Sequence, residues 1–306
     1  MTIATAFATT HGGGVVGVLS DSRLSWPREG VHASAAVKSH ELANNVIAVS
    51  AGYSVVANTA AELTRSLMSE SARDRDADLW TTVRTFAFFS RLIRSELTPA
   101  CNERKIDMPS NEFAIAGFYR DGSPGLATIH LGGENEKVCF FRPREERELA
   151  CAVIGEPSLK DLVYKAYIDA VQGRLFQEMI DDVASVIWYL ISSQATHTAT
   201  IGGGLSFGLC FSGRRASWPM IDVSGQLFYR GMPVARELIP INRGDRVLRI
   251  AIDLERSSQL ERQVEEIRLN GTRSSFVSDD YTCTLDELFH VSPFEYGSEP
   301  LILSGR

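Results

Sequence analysis

Apolar positions along the chain switch twice from strand-like runs to a helical period and back. Short apolar runs at Thr2–Ala8 and Gly14–Leu19 predict two strands joined by a turn around His11–Gly14. A third short run precedes Lys38, and Val46–Ala51 predicts a fourth strand that Gly52 ends. Val56, Ala60, Leu63 and Leu67 then fall on one face of a helix. Leu79, Val83, Phe86, Ile93 and Leu97 form the stripe of a second helix over about 79–97. Aromatics on its other side predict burial on both faces.

The same order then recurs. Glu112–Tyr119 and Gly125–Leu131 flank a turn rich in Asp, Gly, Ser and Pro, and Val138–Arg142 and Leu149–Ile154 follow as further strands. Two helices are predicted near Leu159–Val171 and Leu175–Ile191. Phe176, Ile180, Val183, Ile187 and Leu190 mark the buried face of the second. Leu205–Phe211 and Gln226–Tyr229 read as late strands. Strand runs separated by helix pairs do not fit the alternation of a parallel sheet. They predict an α+β fold in which two antiparallel sheets stack with a helix pair on each outer face, a four-layer α/β/β/α sandwich. Residues 1–234 form this domain, and 235–306 read as a C-terminal extension. The extension offers a strand at Arg246–Leu254, a charged helix at Ser258–Leu269 and an ordered piece at Tyr281–Phe289. No low-complexity linker separates the two parts, so the extension is expected to pack on the domain.

Composition narrows the chemistry. A formal charge of −7 argues against a broad nucleic-acid or anionic-membrane surface. The five cysteines are scattered, with no CxxC pair, so neither a zinc site nor a disulfide framework is suggested. The six histidines show no metal-ligand spacing, and no cofactor motif is present. No run reaches the length of a membrane span, and the N-terminus lacks a signal-peptide layout. A cytoplasmic protein without cofactor or metal is the expectation.

Thr2 opens the first strand, Asp21-Ser-Arg23 ends the second, Lys38 follows, and Ser50-Ala-Gly52 precedes the first helix. In this order and spacing the chain resembles a proteasome β-type subunit over residues 2–234. That family belongs to the N-terminal-nucleophile hydrolases and includes the bacterial HslV and Anbu peptidases. The resemblance implies a peptidase or amidase whose nucleophile is the Thr2 hydroxyl after Met1 is removed. The new α-amine, with an ordinary pKa of about 7.7–8.0, would be the base. Lys38 would favour the deprotonated hydroxyl, Asp21 would hold Lys38, Arg23 would support the strand end, and the Gly52 N–H would donate to the oxyanion.

The family also places a serine after the strand that here ends Ala152-Val-Ile-Gly-Glu-Pro157, where Ser158 is the nearest candidate. The family's aspartate after the last helix is replaced by His197-Thr-Ala-Thr200, making His197 and Thr200 the candidates for that role. The implied partners are further copies in a ring or spiral, a peptide or protein substrate, and an ATP-dependent unfoldase.

Two other readings compete. One is a catalytically silent proteasome-like subunit. The other is an α/β-hydrolase-type serine esterase, for which His11-Gly-Gly-Gly14 and Gly204-Leu-Ser206-Phe-Gly208 supply the motifs. Its context is unfavourable, because too little chain precedes His11 and the segment after Gly208 reads as strand rather than helix.

Overall fold

Strand β1 (Ile3–Thr9) is buried along its whole length, so it must lie inside a sheet covered on both faces. Its alternating side chains divide accordingly. Ile3 and Phe7 point into one apolar layer, and Ala4, Ala6 and Ala8 into another. β1 pairs antiparallel with β2 (Val15–Asp21) on one side and β10 (Leu149–Gly155) on the other. β11 (Leu205–Phe211) extends the sheet beyond β2. The computed structural model describes residues 2–26, 31–33, 37–71, 77–106, 108–133, 136–143, 149–157, 159–161, 163–164, 176–192, 203–223, 225–235, 247–250 and 281–290.

A six-stranded antiparallel sheet faces the first. In spatial order it runs β16 (Tyr281–Thr284), β9 (Lys137–Phe141), β8 (Pro124–Leu131), β7 (Asn111–Phe118), β6 (Val46–Ala51) and β5 (Ser39–Ala43). The layer between the sheets is rich in alanine (Ala4, Ala6, Ala8, Ala114, Ala116, Ala150 and Ala152), which lets the two sheets approach closely. Helices α1 (Ser54–Ser71) and α2 (Leu79–Glu103) cover the outer face of the larger sheet. On the opposite side α3 (Phe176–Ser192) packs Ile180, Val183 and Ile187 onto the smaller sheet, joined by Leu159 and Val163. The result is an α+β fold, the expected α/β/β/α sandwich. Among the described residues no helix is long and apolar enough to cross a membrane.

Several elements differ from the sequence reading. Val56 and Ala60 of α1 are buried as expected, but Leu63 and Leu67 are 42% and 43% exposed, and Ala57, Ala61 and Met68 complete the face toward the sheet. The middle of the buried stripe is alanine, which allows a close helix–sheet contact, so the larger leucines misdirect a periodicity argument. Helix α2 runs past the end of its apolar stripe, through Pro99, to Glu103. Phe88 on its other side is 50% exposed, so α2 is not buried on both faces in this chain. β3 (Leu24–Trp26) and β4 (Val31–Ala33) form a separate hairpin, and β5 begins directly after Lys38. The alternation that marks a strand is broken in β5 by His40 and Glu41.

A second small sheet contains β14 (Met232–Pro233), β13 (Gln226–Tyr229), β12 (Met220–Val223) and β15 (Val247–Ile250), with β15 parallel to β12. The other residues of the Arg246–Leu254 strand, the Ser258–Leu269 helix and much of the Leu159–Val171 helix lie outside the described residues. The Tyr281–Phe289 piece resolves into β16 and a short helix α4 (Leu285–His290). β16 adds to the edge of the larger sheet through β9, and α4 lies on α2. There Arg91 pairs with Asp286, and the Arg84 guanidinium donates to the Phe289 carbonyl.

Candidate functional site

Antiparallel pairing places the start of β1 beside the ends of β2 and β10: Ile3 lies opposite Gly155, and Ala4 opposite Ser20. In the facing sheet the end of β6 meets the start of β7, with Ala51 opposite Glu112. Thr2 precedes β1 at this edge and is 5% exposed. Its carbonyl accepts a hydrogen bond from the Glu156 N–H at 2.8 Å.

Asp21, the last residue of β2, is fully buried and forms an ion pair with Lys38, whose Nζ lies 2.9 and 3.0 Å from the two carboxylate oxygens. The same carboxylate accepts the backbone N–H of Ile3 and that of Arg23, each at 3.3 Å. Asp21 therefore joins the β1 start, the β2 end and the β5 entrance. Burial pulls the Lys38 ammonium below its ordinary pKa of 10.5, although the charge and hydrogen bonds of Asp21 pull it upward. Arg23, nearby and half-buried, adds a smaller downward push. Lys38 is held at its backbone too: its carbonyl accepts the Ser50 N–H at 3.0 Å.

Two glycines at this edge have no room for a side chain. Gly52 has φ +105°, and a Cβ on it would come 2.1 Å from the Ser110 carbonyl oxygen. Gly155 has φ +103°, and a Cβ there would come 1.8 Å from the Thr2 carbonyl oxygen. Both obstacles are backbone atoms and cannot swing aside. Gly122, at φ +81°, has nothing within 4 Å and isolates the conformational part of the cost. We expect Gly122→Ala to lose about 1–2 kcal/mol, the ordinary cost of a left-handed non-glycine residue. Gly155→Ala should lose about 3 kcal/mol in urea denaturation, since the β1 start must also shift. Equal losses in the two variants would contradict the close approach.

Among the residues singled out in the sequence, Asp21 and Lys38 are in direct contact, and Thr2 is tied to them through Ile3. Gly52 lies at the end of β6 in the facing sheet. Ser158, His197 and Thr200 fall outside the described residues. Ser206 corrects the esterase reading. It lies within β11, almost fully buried, with its hydroxyl 2.6 Å from that of Ser39, and no helix follows at an elbow. Three of the five cysteine thiols are disfavoured as nucleophiles by their surroundings. Burial pushes Cys151 and Cys210 up to about 12, and Cys283 to about 11.

Sequence reasoning passed over three polar residues at this edge. His40 is buried with Nε2 3.3 Å from the Ser50 hydroxyl, and burial together with the Arg230 charge lowers its pKa to about 4. Arg230, at the β13–β14 turn, donates to the Ser39 carbonyl at 2.5 Å. Glu112 accepts the Gly155 N–H at 2.8 Å and pairs with Lys160 at 3.0 Å. An uneven alternation at β5 and at the start of β7 is the only signal for His40 and Glu112, and Arg230, in a turn, breaks no pattern.

No protein-family model matches the chain, and no curated protein does. Among solved structures, an Anbu (Gly-1) mutant from Hyphomicrobium sp. strain MC1 is similar at 13% identity with a TM-score of 0.49. The likeness spans 90% of this chain and 100% of that one.

Proposed function

We propose that this chain is a threonine-type hydrolase of the proteasome β-subunit kind, a peptidase or amidase with Thr2 as its N-terminal nucleophile. The observation that carries the reading is the buried Asp21–Lys38 pair, hydrogen-bonded to the amide of the residue that follows Thr2. A buried ion pair is a poor source of stability. A buried cation beside a strand start is useful where a hydroxyl must lose its proton.

In the proposed reaction the Thr2 Oγ attacks the scissile carbonyl carbon while its proton passes to the α-amine freed by Met1 removal. The Gly52 N–H would stabilise the resulting oxyanion. Collapse forms an ester on Thr2 as the C–N bond breaks, and the α-ammonium returns the proton to the leaving amine. Water then enters by the same route and releases the acid. Lys38 assists by lowering the cost of negative charge on Oγ, and Asp21 and Arg23 set its position. Ser158, His197 and Thr200 remain candidates for supporting the amine.

In this reading residues 1–234 are the hydrolase domain and 235–306 an extension packed on it. The protein works in the cytoplasm as a homo-oligomer, a ring or spiral, with peptide or protein substrates and an ATP-dependent unfoldase as partner. The exposed Val55, Leu63 and Leu67 of α1 and Phe88 and Leu92 of α2 suit the outer helical layer to self-association.

The test is intact mass of native material followed by treatment with a peptide epoxyketone, which captures an N-terminal threonine through both its hydroxyl and its amine. We expect Met1 to be absent and one adduct to map to Thr2. Retained Met1 with no adduct would instead identify a catalytically silent subunit.

A further inference from the structure

Glu112 stands where the two halves of the proposed site meet. It lies in the larger sheet opposite Ala51, one residue before Gly52. Its side chain crosses to the smaller sheet, where Oε2 accepts the Gly155 N–H at 2.8 Å. Lys160 Nζ approaches both carboxylate oxygens, at 3.0 and 3.3 Å. His130, directly across β8, has Nδ1 3.6 Å from Oε1. Burial by itself would raise the Glu112 pKa. The hydrogen bonds from His130 and Gly155 and the Lys160 charge overcome it and bring the value to about 2. The surroundings thus favour the ionised carboxylate.

What this carboxylate holds gives it a consequence. The Gly155 Cα lies against the Thr2 carbonyl, and the next residue, Glu156, donates its N–H to the same oxygen. A displacement of the 155–156 backbone therefore displaces Thr2. On the other side, Glu112 belongs to the strand that fixes the end of β6, where Gly52 turns out of the sheet. One side chain thus spans the gap between the proposed nucleophile and the proposed oxyanion donor.

Resting on the threonine-hydrolase reading, we propose that Glu112 is a positioning residue: with Lys160 and His130 it clamps the Gly155–Glu156 backbone and so sets Thr2 relative to the Gly52 amide. It acts through Gly155 and has no contact with substrate. The charge is what the clamp requires, because a neutral amide cannot hold the Lys160 ammonium and the Gly155 N–H together with comparable strength. Neither partner was visible from spacing, since residues 112, 130, 155 and 160 come from three strands and the segment after β10.

The test compares peptide hydrolysis and epoxyketone adduct formation in the full-length wild-type protein, Glu112→Gln, Lys160→Met, Lys160→Arg and Thr2→Ala. Misplacing a reacting group by about an ångström can cost about a hundredfold in rate. Glu112→Gln should lower kcat by about 10- to 100-fold with KM changed less than about threefold, and should slow adduct formation by the same factor. Lys160→Met should lose about tenfold, and Lys160→Arg should stay within about threefold of wild type. A purely structural role would lower the folded fraction and leave kcat per folded molecule unchanged, which would overturn the proposal. If Glu112→Gln does not fold, the Lys160 pair decides: equal kcat in its Met and Arg variants also overturns it. Wild-type hydrolysis in Thr2→Ala would remove the threonine-nucleophile reading and this proposal together. Inactive Thr2→Ala beside fully active Glu112→Gln would remove this proposal alone.

Discussion

Thr2→Ala is expected to fold and to hydrolyse nothing measurable, with kcat at least about a thousandfold below wild type. The substitution removes the hydroxyl and one methyl group at a buried position where the backbone carries the structural contacts. The Thr2 carbonyl still receives the Glu156 N–H, and the Ile3 N–H still reaches Asp21. Thermal unfolding should therefore shift by only a few degrees. Without Oγ no acyl intermediate can form, and the α-amine, the proposed base, has no hydroxyl proton to accept. Thr2→Ser keeps the hydroxyl and the amine and should retain most of the activity, which separates loss of the nucleophile from loss of packing. Peptide hydrolysis measured alongside circular dichroism checks both. Wild-type turnover in Thr2→Ala would end the threonine-nucleophile reading.

The parts of the fold that could be read from sequence are those where burial is simple. β1, β2 and β6 are covered on both faces, so each appears as a continuous apolar run. α3 was legible through Ile180, Val183 and Ile187, which are large and regularly spaced. The α1 face was legible only in its first turns, through Val56 and Ala60, because Ala57 and Ala61 carry the rest of it while Leu63 and Leu67 point outward. β5 was hidden by buried polar residues: His40 is kept neutral by burial and satisfied by Ser50, which no hydropathy pattern conveys.

The candidate site divides in the same way. Thr2, Asp21, Lys38 and Gly52 came from order and spacing, by resemblance, and the structure brings Asp21 and Lys38 into contact. Gly155 and Glu112 could not be read, because each matters through a backbone atom contributed by another strand. A glycine required by a carbonyl 1.8 Å from its absent Cβ looks like any strand-ending glycine in a sequence.

Asp21→Ala is expected to destabilise the protein by about 3–5 kcal/mol at neutral pH, as is usual when one partner of a buried ion pair is removed. Lys38 would then hold a buried charge with nothing opposing it, and the Ile3 N–H would lose its acceptor. In the native protein burial already holds Lys38 below 10.5, and Asp21 supplies the influences that pull it upward. Removing Asp21 lowers the native value further, while the unfolded chain keeps its proton up to about 10.5. Between these two values the unfolded state binds more protons, so stability rises with pH. The deficit of Asp21→Ala should therefore narrow as pH rises from neutrality toward 10.5, as urea denaturation at several pH values would reveal. The double variant Asp21→Leu/Lys38→Met removes both charges and fills the space with apolar groups, so it should recover most of the stability. It should recover no hydrolysis, because the cation that lowers the cost of Oγ deprotonation is gone. Restored stability without restored turnover would separate the pair's chemical task from its place in the fold. Restored turnover would show that Lys38 has no part in the reaction.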